Sequence, residues 1–141
     1  MASEVDLPAT GAVAYSDGAS RGNPGDAAVG VYVVDADGRE LCAEGFRIGR
    51  ATNNAAEYRG AIAALERALS LGVRVLELRM DSELVVKQVQ GTYRVKDAAL
   101  AELKRELDRL IRRLDEFRIR HVPREANRVT DRLANDALDA S

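Results

Sequence analysis

The feature that most constrains this chain is a change of hydropathy period near residue 50. Before it stand three short β-rich runs, AVAYS at 12–16, AVGVYVVD at 28–35 and ELCAEGFRI at 40–48, divided by Gly/Pro/Asn/Asp clusters at 18–26 and 35–39. Such runs read as strands, and AspAlaAspGly in the second gap is a hairpin signal, so the three predict an antiparallel meander. From residue 54 the period becomes helical. Tyr58, Ile62, Leu65 and Leu69 make one apolar stripe, with Arg59, Glu66, Arg67 and Ser70 opposite, and Gly72 closes a helix predicted over 54–71. A strand at 73–80, a short helix at 82–90 and a longer helix at 97–115 follow. A strand at 117–122 then leads to a last helix capped at Asn127 and ending near Leu138. Three meander strands followed by strand–helix alternation predict an α/β fold: a five-stranded mixed sheet, three strands antiparallel and two parallel, flanked by helices.

Length and composition narrow the chemistry. A chain of 141 residues predicts one domain over 12–141, preceded by a flexible extension at 1–11. One cysteine, Cys42, and one histidine, His121, rule out an internal disulfide and a zinc site of the usual ligand set. No basic segment with an apolar core opens the sequence and no apolar run reaches bilayer length, so a cytoplasmic location without a membrane partner is expected. With 21 basic and 23 acidic residues the net charge is −2, which excludes nucleic-acid binding by bulk field alone but leaves room for a local basic surface. No long heptad pattern is visible, and a monomer is expected.

Four carboxylates stand out by position. Asp17 follows the first strand, Glu57 lies in the first turn of the first helix, Asp81 sits where the fourth strand ends and a helix begins, and Asp131 lies in the first turn of the last helix. Singly, each has an ordinary reading: a turn, a capping box with Asn54, a helix cap, a favourable dipole contact. Together they lie at strand–helix junctions, which converge on one edge of an α/β sheet. Carboxylates about 4 Å apart repel by roughly 4 kcal/mol at an effective dielectric near 20. Four in one place must therefore be protonated or hold cations, and oxygen ligands without His or Cys select Mg²⁺ or Mn²⁺. Such sites commonly act on phosphate. SRGNPG at 20–25 and Thr52, Asn53 and Asn54 offer backbone N–H groups, amides and a hydroxyl suited to a phosphate or sugar, although Thr-Asn-Asn taken alone reads first as an ordinary helix cap.

SDGASRGNPG at 16–25, TNNAAEYRGAIAAL at 52–65, MDSELVV at 80–86 and HVPREANRVTDRLAN at 121–135 together resemble the type 1 ribonuclease H family. The likeness covers about residues 12–139 and implies a ribonuclease H-like fold and hydrolysis of the RNA strand of RNA/DNA hybrids to 5′-phosphate and 3′-hydroxyl ends. It implies two Mg²⁺ ions, replaceable by Mn²⁺, held by Asp17, Glu57, Asp81 and Asp131. By that resemblance Asp17 bridges the ions, Asp131 serves the ion that activates water, and Glu57 with Asp81 serves the ion at the leaving 3′ oxygen. Asn23 and Asn54 match positions in the minor groove of the hybrid, and Thr52 and Asn53 match a seat for a DNA-strand phosphate. Double-stranded RNA is a second candidate substrate.

The chain departs from the family pattern in three places. Glu83 stands where a glutamine often contacts the hybrid. Only GTYRVKD at 91–97 occupies the place of a tryptophan-bearing basic protrusion, which resembles the shorter form and predicts weaker, more salt-sensitive hybrid binding. His121 has the sequence offset of a mobile histidine that assists proton transfer or product release, yet it alternates with Phe117 and Ile119 and reads as a core residue; Arg124 is the alternative. Against the nuclease stand a silent hybrid- or RNA-binding module, a two-lobed nucleotide phosphotransferase, and a junction resolvase or integrase. The first gains nothing from acids facing a phosphate backbone, the second needs a second lobe, and the TNNAAE and PREAN blocks point away from the last two.

Overall fold

The computed structural model describes residues 11–140, so the expected extension at 1–11 falls outside it apart from the buried Gly11. Strands β1 (Ala12–Gly22), β2 (Gly25–Asp35) and β3 (Glu40–Ala51) form the antiparallel meander. Strands β4 (Val75–Met80) and β5 (Glu116–His121) extend it in parallel from β1, giving the order β3-β2-β1-β4-β5. Helices α1 (Asn53–Ser70), α2 (Glu83–Val89), α3 (Ala98–Ile111) and α4 (Arg128–Asp139) flank the sheet, and a 3₁₀ turn at Arg124–Asn127 leads directly into α4. This is the expected five-stranded mixed sheet. No helix among the described residues is long and apolar enough to cross a membrane.

The first strand is longer than its apolar run. The Gly/Asn/Pro-rich segment after Asp17, expected as a loop, continues the ladder: Gly18 pairs with Val29 and Gly22 with Gly25, so Asn23 and Pro24 alone turn the chain. Backbone pairing does not require large side chains, and small ones here allow other backbones to come close. The second hairpin follows its signal, with Asp35 Oδ1 accepting from the Asp37 and Arg39 amides at 2.9 Å each and Gly38 at φ +86°.

Helix α1 buries the expected stripe of Tyr58, Ile62, Leu65 and Leu69, and its alanines other than Ala55 are buried as well. It is apolar on more than one side because it lies between the sheet and α3. Val29, Val31, Val33, Leu76, Leu78, Met80 and Leu107 complete that core, each worth about 1.5–3 kcal/mol against exposure. Helix α4 covers the opposite face over β1, β2 and β3, with Ala134 and Leu138 packed on Ala28. Its C-terminus is fixed by Arg47, whose guanidinium donates to the carbonyls of Ala137, Leu138 and Ala140 at 3.1, 2.7 and 2.9 Å.

Candidate active site: an acidic recess at the end of the sheet

Register brings the first two acids together. The β1–β4 ladder ends at the pair Ser16 and Met80, and Asp17 and Asp81 are the next residue on each strand. Parallel strands in register place such residues side by side. Asp17 is therefore inside β1 rather than after it, at the point where β1 loses its β4 neighbour.

Close packing on each face brings the other two. A Cβ on Gly18 would stand 2.2 Å from the Ala56 carbonyl, so α1 crosses β1 in backbone contact and delivers Glu57, whose Oε1 accepts from the Gly18 amide at 3.1 Å. On the far face Gly30, the ladder partner of Asp17, lies under Thr130, where a Cβ would meet the Thr130 carbonyl oxygen at 2.1 Å. That contact delivers Asp131. The four acids, dispersed along the sequence, thus share one end of the sheet.

Carboxylate oxygens of Asp17, Glu57 and Asp81 lie within 4.8 Å of one another. Asp131 reaches Asp17 from the other side in hydrogen-bonding contact, and is itself steadied by Asn135, whose Nδ2 donates to the Asp131 carbonyl at 2.9 Å. Burial first, then Asp81 and Asp131, push the Asp17 carboxyl up to about 7. Burial and the charges of Asp17 and Asp81 hold Glu57 well above the usual carboxylate range, opposed by the Gly18 amide and Arg124. Arg124, the cation among these causes, opposes the rise at Glu57 without cancelling it. The donors of the cluster are all oxygens, with neither Cys nor His, and that set fits Mg²⁺ or Mn²⁺.

Asp17, Glu57 and Asp131, but not Asp81, line a recess of about 360 Å³, together with Gly18, Ala19, Ser20, Asn53 and Arg124. A larger hollow of about 600 Å³ along the β5 edge is lined by Val89, Ile111, Phe117, Ile119 and their neighbours, and holds none of the four acids. Of the two alternatives for an assisting residue, Arg124 lines the recess. His121 does not, and it is exposed at the end of β5 opposite Met80, which corrects its reading as a core histidine: alternation puts it on the Ile119 side, but the strand stops there and nothing covers it.

The ordinary readings of single acids also change. Thr52, not Asn54, caps α1, its Oγ1 accepting from the Ala55 amide at 3.2 Å, and no acid lies in the first turn, so Glu57 forms no capping box. Ser82, not Asp81, caps α2, accepting from Val85 at 3.3 Å. Asn23 Oδ1 accepts from the Asn53 amide at 3.0 Å, so two N–H groups of the expected phosphate seat, at residues 53 and 55, already have partners. Asn53 and Asn54 are exposed beside the recess rim. Ser20, not singled out in the sequence, ties the hairpin to the Thr52 turn by donating to the Ala51 carbonyl at 2.8 Å.

A reverse transcriptase-like family model matches residues 15–137. Ribonuclease HI of Halobacterium salinarum is 50% identical over 126 residues, 89% of this chain and 63% of that protein. A bifunctional protein of Mycobacterium tuberculosis is 46% identical over 130 residues, 92% of this chain and 36% of that protein. The chain thus spans less than two thirds of these curated relatives. Among solved structures, RNase H1 of Halobacterium salinarum superposes with a TM-score of 0.91 at 48% identity, covering 92% of this chain and 98% of that one. LC11-RNase H1 in complex with an RNA/DNA hybrid superposes with a TM-score of 0.86 at 40% identity, covering 91% and 96%.

Proposed function

We propose that this chain, which belongs to the type 1 ribonuclease H family, is a divalent-metal-dependent endoribonuclease that hydrolyses the RNA strand of RNA/DNA hybrids to 5′-phosphate and 3′-hydroxyl ends. The observation that carries this reading is the meeting of Asp17, Glu57 and Asp81 within 4.8 Å, with Asp131 against Asp17. A hybrid bound to a relative 40% identical supports the substrate class.

Two Mg²⁺ or Mn²⁺ ions, when bound, supply a nucleophilic water near neutral pH and charge stabilisation at the leaving oxygen. Asp17, central to the cluster, would help to hold both; Asp131 would serve beside the activated water, and Glu57 with Asp81 beside the leaving group. The Arg124 guanidinium at the recess wall would draw a product phosphate away. Asn23, tied to the start of α1, and Asn53 and Asn54 beside it form the rim on which a hybrid backbone would rest. Glu83 is exposed near Asp81 and opposes a phosphate there.

The test is one gel: a labelled RNA/DNA hybrid, the matching DNA duplex and double-stranded RNA, each with Mg²⁺, Mn²⁺ or EDTA. Internal cuts in the hybrid's RNA strand that depend on the cation support the reading. An intact hybrid, bound but uncut, would turn it toward a silent binding module, and cutting of double-stranded RNA as well would widen the substrate class.

A further inference from the structure

Two polar side chains behind the recess are sealed from solvent and only partly satisfied. Ser16 and Asn127 are 0% and 1% exposed, and neither Ser16 Oγ nor Asn127 Oδ1 has a hydrogen-bond partner. Asn127 stands at the N-cap of α4, yet its side chain does not cap the helix; Nδ2 donates instead to the Ser16 carbonyl at 2.9 Å. It grips β1 one residue before Asp17, where the ladder with β4 ends. From the other side Thr130 Oγ1 donates to the Asn127 carbonyl at 3.0 Å. Thr130 is fully buried, immediately precedes Asp131, and presses its carbonyl on Gly30, the ladder partner of Asp17.

A closed loop of buried contacts therefore runs from Asp17 through Ser16, Asn127 and Thr130 to Asp131, and back through Gly30. We infer that Asn127 and Thr130 form a positioning bracket that fixes the separation of the Asp17 and Asp131 carboxylates, and with it the grip of this pair on a divalent cation. This rests on the reading of those acids as metal ligands. An amide in a dry site with its oxygen unpartnered is a poor choice for packing alone, since an apolar side chain of similar volume would leave no orphan acceptor. What the amide supplies is its donor, and that donor holds the strand bearing Asp17 to the helix bearing Asp131. Partners behind metal ligands act in this way elsewhere, and their removal weakens metal binding about 10- to 100-fold.

The test compares wild type with Thr130→Val, which removes only a hydroxyl, and with Asn127→Ala, using Asp17→Asn as the control for a lost ligand. Mn²⁺ binding is measured by calorimetry, hybrid cleavage by kcat and KM, and folding by thermal melting. The bracket predicts Mn²⁺ affinity lowered about tenfold or more in both variants, with kcat reduced and KM for the hybrid unchanged. If Asn127→Ala fails to fold, Thr130→Val decides. Folded variants that lose melting temperature but bind Mn²⁺ as wild type does overturn the bracket alone, provided Asp17→Asn has lost binding. A wild type that binds no Mn²⁺ overturns the bracket together with the metal reading.

Discussion

The Gly18 amide donates to Glu57 Oε1 at 3.1 Å, and the same glycine leaves a side chain no space, a Cβ there standing 2.2 Å from the Ala56 carbonyl carbon and oxygen. One residue thus holds Glu57 and admits the helix that carries it. Gly18→Ala drives a methyl into helix backbone, which cannot rotate away, and is expected to destabilise the fold by about 3 kcal/mol. Urea unfolding measures this; a change under about 0.5 kcal/mol would show that α1 does not sit on β1 so closely.

The Asp17 carboxyl rises from an ordinary 3.8 to about 7 on folding. The metal-free folded state therefore holds this proton more tightly than the unfolded chain. The acid does not penalise folding below pH 3.8, and its penalty grows as pH rises toward 7 and then levels. In EDTA, Asp17→Asn should melt close to wild type near pH 4 and above it at pH 8, while abolishing cleavage. Adding Mg²⁺ or Mn²⁺ should raise the wild-type melting temperature at pH 8 and leave the variant nearly unmoved. A variant less stable than wild type at pH 8 in EDTA would contradict the electrostatic account.

Arg124 lines the acidic recess and partly opposes the burial and neighbouring charges that raise the Glu57 carboxyl, whereas His121 is exposed and outside the lining. Arg124→Ala is expected to slow multiple-turnover cleavage about tenfold, the size of one charged hydrogen bond of roughly 1.5 kcal/mol. Single- and multiple-turnover rates distinguish a chemical role from product release. A wild-type rate in Arg124→Ala would remove this residue from the site.

Cys42 is free and only partly buried, yet burial and the neighbouring Glu44, whose Oε2 accepts from Sγ at 3.4 Å, push its thiol up to about 11. Since the thiolate is the reactive species, alkylation by iodoacetamide at pH 8 should be slower than for an ordinary exposed cysteine. Equal rates in a thiol-reactivity assay would show that Glu44 does not face the sulfur.

The mixed sheet and the order of elements along the chain were legible because the strands before residue 50 and the amphipathic helices after it carry different periods. The four acids were legible as a group because Asp17, Asp81 and Asp131 fall at ends of paired or helical segments. What the sequence hid was set by contacts between distant residues. Gly18 and Gly30 look like loop and strand glycines until the backbones of Ala56 and Thr130 are laid on them. Asn127 looks like a cap, and its partner lies 111 residues away. Asn23 looks like a turn residue, and its side-chain oxygen Oδ1 accepts from the Asn53 amide at the start of α1. The length of β1 was hidden for a related reason: a ladder of glycine, alanine and serine has no hydropathy pattern to read.

The most direct check is the chemistry of the ends. A hybrid with its RNA strand labelled is digested in Mg²⁺, in EDTA and with Asp131→Asn, and the new termini are identified by mass. The account predicts 5′-phosphate and 3′-hydroxyl ends in Mg²⁺ and intact RNA in the other two. Cleavage that persists in EDTA, or that leaves 2′,3′-cyclic phosphate, would mean that the four carboxylates do not act by holding cations.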